Sequence, residues 1–73
     1  MGFFMRIDYI KGTRYYSLRL EHDLFDWVVQ KRFGNIMAKR GHEQNKPFSS
    51  RDEALNYFIG EHKRRLKRKY QIC

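Results

Sequence analysis

The chain has 73 residues, sixteen Lys and Arg against eight Asp and Glu, a formal net charge of +8, and one cysteine at its last position. A chain this short buries only about 60% of the surface its unfolded form exposes, so it is read as a single domain with a thin core and no room for a second one. One terminal cysteine allows no internal disulfide, and a charge this far from zero points to a polyanionic partner.

The start, MGFFMRIDYI, carries only three consecutive apolar residues before Arg6 and Asp8 intervene. It matches neither a secretory leader nor, with arginine at position 6, a myristoylation site. Nothing in the chain approaches the ~20 apolar residues that span a bilayer, so a cytoplasmic location and no membrane association are expected.

Phe3, Met5, Ile7 and Tyr9 recur at every second position, and residues 14–21, RYYSLRLE, alternate more firmly, with Tyr16, Leu18 and Leu20 on one side. That is the period of half-buried strands, here joined by a KGT turn at 11–13. HDLFD is a hairpin loop, and WVVQKRF at 27–33 a third strand by its β-branched and aromatic content. Gly34 marks a bulge or a close backbone approach, NIMAKR continues as a further strand, and Gly41 turns the chain again. HEQNKP, almost wholly polar and ending at Pro47, reads as a protected edge strand or loop.

The period then changes from two to 3.6. Ser50 with Glu53 three residues on is a capping box, acids sit in the first turn and bases crowd the last, which suits the helix dipole. A stripe of Ala54, Leu55, Phe58, Ile59, His62, Leu66 and Tyr70 faces the sheet. Because Arg65 and Lys69 project on the same side, the last two turns are expected to pass the edge of the sheet and leave the basic end in solvent. Strands first and one helix last give an α+β fold: a small antiparallel sheet of four to five strands with one C-terminal helix packed across it, residues 1–4 and 70–73 fraying.

Catalytic chemistry has no foothold. His22, His42 and His62 stand twenty apart in three different elements, the first two read as loop residues, and no nucleophile–base pair, carboxylate pair, metal-ligand spacing or Gly-rich phosphate loop is present. No enzyme activity and no cofactor are expected.

Taken together, RYYSLRL, DLF, WVVQKRFGNI, PFSSRDEALNYF and KRRLKRKY resemble the WGR domain over residues 5–70, in that family's order and close to its spacing, and particularly its short stand-alone bacterial form. The most specific parts are Tyr15 and Tyr16, the Leu24–Phe25 loop, and the Phe48–Ala54 stretch that starts the helix. In the poly(ADP-ribose) polymerases the resemblance implies a small sheet crossed by a helix, contacting DNA at a strand break and touching neighbouring domains. The naming motif is altered: Phe33, Gly34 and Asn35 stand where the family has Trp-Gly-Arg, and the family's glycine after Leu-Phe is replaced or lost at Asp26. Phe33 keeps an aromatic face for stacking without an indole N–H, and Asn35 can donate to one phosphate oxygen without the guanidinium fork.

Two readings of Phe33 compete. Alternation puts it with Trp27 and Val29, on the core side, whereas the resemblance assigns its position to the nucleic-acid contact; the exposed reading is preferred. Six of the seven residues 63–69 are basic, more than an ordinary solvated face carries. The expected contact set is Lys31, Arg32, Phe33, Asn35, Lys39 and Arg40 from the strands, with Arg64, Arg65, Lys67 and Arg68 from the helix end. Its mechanism is counterion release from a phosphate backbone, with little sequence readout and DNA favoured over RNA. The alternative is a protein-interaction adaptor, docking through the Phe33 strand and the acidic loop at 21–26. A monomer or weak homodimer is expected in either case, and an anionic membrane ranks third.

Overall fold

The computed structural model describes the backbone of residues 2–38 and 40–73 and the side chains of 5–38 and 40–73. Five strands, β1 (Gly2–Lys11), β2 (Arg14–His22), β3 (Trp27–Asn35), β4 (Gly41–Phe48) and β5 (Gln71–Ile72), form one sheet in the order β4-β3-β2-β1-β5. All paired neighbours run antiparallel, and α1 (Arg51–Lys67), the one helix among the described residues, lies between β4 and β5 in the chain. The fold is α+β, as the change of period implies.

β1 and β2 pair Lys11 with Arg14, leaving Gly12 and Thr13 as a two-residue turn. Gly12 adopts φ +61°, a backbone region open to glycine and closed to most side chains. At the opposite end Asp23 N–H donates to Asp26 O at 2.8 Å and closes the loop that carries Leu24 and Phe25. β4 is an edge strand, exposed along nearly its whole length, with Pro47 within it. Its polar sequence and its proline both discourage a further strand from pairing there.

NIMAKR is not a strand. β3 ends at Asn35, Ile36 to Ala38 form a turn, and Gly41 begins β4 rather than turning the chain. Nor is Gly34 a bulge, because its pairing with Tyr15 and Gly41 continues the ladder without a break. The close-approach reading holds instead: a Cβ on Gly34 would stand 3.0 Å from the Tyr15 hydroxyl oxygen and 3.1 Å from the Gly41 Cα. The Tyr15 side chain lies across both glycines and leaves no room for a methyl group.

The helix begins as its sequence requires. Ser50 is extended, at φ −131° and ψ 154°, and its hydroxyl accepts from Glu53 N–H at 3.2 Å. It ends in a Schellman motif: Lys69 N–H donates to Leu66 O at 3.0 Å, Tyr70 N–H donates to Arg65 O at 3.1 Å, and Lys69 sits at φ +72° where glycine is usual. This reversal carries Tyr70 off the helix and back onto the sheet, so Tyr70 joins the packed aromatics from outside the helical stripe. Gln71 and Ile72 then pair with Ile10 and Tyr9, adding a strand that no periodicity announces.

The buried core is Tyr9, Tyr16, Leu18, Leu20, Val29, Ala54 and Phe58, all on the side of the sheet that the helix covers. The helix buries Ala54, Phe58, Glu61 and Arg65. That line is rotated from the apolar stripe of the sequence, and Ile59 and Leu66 are left 40% and 44% exposed. The cause lies beneath the second half of the helix, where the sheet presents the Tyr16 hydroxyl and the Lys31 ammonium, groups that pair with a carboxylate better than with a methyl group. The basic end does not stand clear of the sheet either, since Arg65 is only 8% exposed and the Lys11 ammonium donates to Arg68 O at 2.8 Å. Among the described residues no element covers the opposite face of the sheet, which carries the ion pairs Arg6–Asp8, Arg19–Glu21 and Arg32–Glu43. No described helix is long and apolar enough to cross a membrane.

Candidate nucleic-acid interface

Strand register sets the floor of the site. Tyr9, Tyr16, Phe33 and His42 are successive cross-strand partners on the helix side of β1 to β4. Phe33 stacks on Tyr16 with centroids 5.4 Å apart and planes 13° from parallel, and on His42 at 5.3 Å and 25°. The two histidines expected in loops are therefore on strands, His42 at the β4 end of this row and His22 against Trp27 at 4.4 Å. His62 from the helix accepts or donates at Nδ1 to the Tyr9 hydroxyl, 2.7 Å away. The helix covers Tyr9 and Tyr16 but leaves Phe33 half-buried and His42 exposed.

Between that floor and the last turns of α1 lies an open cleft of about 550 Å³. Arg14, Lys31, Phe33, Gly34, Asn35 and Gln44 line it from the sheet, Glu61, Arg64, Arg65 and Arg68 from the helix, and Tyr70 from the returning chain. Five cations thus face one carboxylate. That carboxylate is buried and fully engaged: Glu61 accepts from the Tyr16 hydroxyl at 3.2 Å and pairs with Lys31 at 3.4 Å and Arg64 at 3.2 Å. Burial works against the Lys31 charge, but a 2.8 Å hydrogen bond to Tyr57 and the Glu61 carboxylate outweigh it and hold its pKa above the usual lysine value. Burial, with Glu61 nearby, pushes the Tyr16 phenol well above its ordinary range. Burial also pushes the Tyr9 phenol up to about 12, Arg65 opposing the shift and Glu61 adding to it.

Arg65 stands apart from the other cations. Its guanidinium carbon lies 4.3 Å from the Tyr16 ring centroid and 5.6 Å from that of Tyr70, a double cation–π contact. Its Nε is buried without a hydrogen-bond partner, and among the described residues Arg65 forms no ion pair. A guanidinium held this way, nearly out of solvent and opening onto a cleft, retains donor capacity for an anion that the described residues do not supply.

Of the expected contact residues, Lys31, Phe33, Asn35, Arg64, Arg65 and Arg68 converge on this cleft. Arg32 does not. Alternation sends it to the opposite face, where it pairs with Glu43 at 3.5 Å. Lys67 is exposed on the helix outside the cleft lining, Arg40 is exposed in the connection before β4, and Lys39 lies outside the described residues. Asn35 is occupied with local structure: its Oδ1 accepts from Met37 N–H at 2.8 Å and its Nδ2 donates to Thr13 Oγ1 at 3.3 Å. Arg14, Gln44, Glu61 and Tyr70 complete the cleft and were not anticipated. Arg14 could have been, since it continues the Tyr16, Leu18, Leu20 side of β2 by one step of two residues. Tyr70 could not, because its place depends on the chain reversal at Lys69.

A family model described as the WGR domain matches residues 4–72, nearly the full length. Comparison with curated proteins and comparison with solved structures each find no match.

Proposed function

Because the chain belongs to the WGR domain family, we propose that it is a non-catalytic nucleic-acid-binding module whose contact surface is the cleft between the Phe33 strand and the end of α1. The observation that carries this reading is Arg65, a nearly buried guanidinium without an anionic partner among the described residues. A backbone phosphate supplies the missing acceptor, and such a charged hydrogen bond is worth roughly twice a neutral one. Arg14, Arg64 and Arg68 hold flanking phosphates, while the half-buried Phe33 ring offers its face to a sugar or base. Among the described residues the chain has no recognition helix that would carry base-reading amides into a groove, so binding depends on charge and shape, with duplex DNA at an end or nick preferred.

With about four or five phosphates neutralised, log affinity falls with log salt at a slope of about −4. Fluorescence anisotropy with a labelled duplex tests this across salt concentrations, comparing the parent chain with Arg14→Glu/Arg68→Glu, both exposed positions. The reading requires a steep slope in the parent, and a marked loss of affinity in the variant with an unchanged melting temperature. A flat response in the parent eliminates it. A second reading, a protein-docking module, draws on Leu24 and Phe25, which are 76% and 87% exposed between Asp23 and Asp26. That loop is at the other end of the sheet from the cleft, so the double Glu variant leaves protein capture intact if this reading holds.

A further inference from the structure

The β3–β4 turn breaks the usual chemistry of turns. Where glycine, asparagine, aspartate or serine would ordinarily stand, this turn presents Ile36 and Met37, 53% and 82% exposed. The polar work is done by their neighbours instead. Asn35 Oδ1 caps Met37 N–H at 2.8 Å, Ala38 N–H donates to Asn35 O at 3.0 Å, and Ile36 N–H donates across to Thr13 O at 2.7 Å. Two apolar side chains are therefore carried outward on a tip whose backbone is braced by hydrogen bonds, which lowers the backbone ordering left to lose on contact. The tip adjoins the cleft directly, since Asn35 and Gly34 line it and Phe33 forms its floor.

Charge identifies the occupant. The described residues among 9–14 and 33–42, which build this end of the sheet, contain Lys11, Arg14 and Arg40 and no acid. The other exposed apolar pair, Leu24 and Phe25, sits at the far end between two aspartates and is unsuited to a polyanion. A partner that is anionic and also offers a flat apolar surface is a nucleic-acid duplex at a discontinuity. An intact stack hides its base faces, whereas a terminus exposes one and a nick, by freeing the backbone, lets the stack open to expose one.

Resting on the nucleic-acid reading above, we infer that Ile36 and Met37 form a wedge that stacks on the exposed face of a terminal base pair, while the cleft beside it holds the adjoining phosphates. The tip supplies the preference for discontinuities and the cleft supplies the affinity.

The test compares a nicked duplex with a covalently closed dumbbell of the same sequence, using the parent chain, Ile36→Ser/Met37→Ser, and Leu24→Ser/Phe25→Ser as a control for general stickiness. The parent should favour the nicked duplex by about fivefold to tenfold, the effect of burying one to two apolar side chains in part. The tip variant should bring that ratio to about one while keeping the dumbbell affinity and salt slope, and the control variant should behave as the parent. An equal preference in parent and tip variant overturns the wedge, as does equal loss on both substrates. So does capture by anionic vesicles that the tip variant abolishes while nicked and closed DNA bind alike. If the parent binds neither DNA, the nucleic-acid reading itself fails; if it binds the dumbbell with steep salt dependence but shows no preference for the nick, only the wedge does.

Discussion

Glu61→Gln separates stability from binding, because the same carboxylate supports the fold and opposes the ligand. Glutamine keeps the shape and can still accept from the Tyr16 hydroxyl, so the substitution removes the charge and turns the oxygen that faces Arg64 into an N–H donor. Lys31, with a side chain 15% exposed, then loses its carboxylate, and Arg65 loses the nearest negative charge of the cleft. Removing one partner of a fully buried pair costs about 3–5 kcal/mol; Arg64 is 61% exposed and Lys31 keeps Tyr57, so about 2–3 kcal/mol is expected. For a domain of this size that lowers the melting temperature by about 10–20 °C. Affinity should move the other way. The cleft gains one unit of positive charge, worth about 1 kcal/mol or fivefold toward a nearby phosphate at low salt, and the salt slope steepens by up to about 0.9. Circular-dichroism melts and anisotropy titrations on the same preparation measure both. An unchanged melting temperature would refute the buried network, and a weaker affinity in the folded variant would refute the cleft as the polyanion surface.

Three further outcomes follow from the packing. Tyr9 ionises near 12 in the fold against 10.0 for an exposed phenol, and Tyr16 and Lys31 are shifted the same way. The unfolded chain thus gives up these protons first, and stability that is complete below about pH 10 should decline as pH rises toward about 12; urea unfolding at several alkaline pH values checks this, and a flat profile contradicts it. Phe33→Ala should cost about 2 kcal/mol, roughly half the value for a fully buried Phe, and should weaken duplex binding by about tenfold. A full core penalty with unaltered affinity would assign the ring to packing alone. Lys69→Gly relieves a left-handed residue that carries a Cβ and should raise stability by about 1 kcal/mol, read as a higher melting temperature; a lower one would show that the Schellman turn is not held as described.

Local patterns carried much of the fold. Alternation in residues 14–21 gave both the strand and its buried side, and Ser50 with Glu53 located the start of the helix within a residue. The errors arose where one element depends on another. NIMAKR reads as a strand on composition, but Tyr15 lying across Gly34 and Gly41 brings these two glycines opposite each other, and the intervening residues must then turn. The apolar stripe of the helix misplaced its buried line because Glu61 and Arg65 become inward residues only when Tyr16 and Lys31 lie below them. Charge density pointed to the helix end and the Phe33 strand, yet it could not separate Lys31 from Arg32, which alternation sends to opposite faces. For Phe33 both readings captured part of the arrangement: it packs against Tyr16 from the core side and remains open toward the cleft.

The most direct trial of the whole account is a backbone-amide NMR titration with a short nicked duplex. The cleft predicts that shifts concentrate on Arg14, Phe33, Gly34, Asn35 and the Glu61–Arg68 turns. Shifts gathered on the opposite face, at Arg6, Ser17, Arg19 and Arg32, would contradict it.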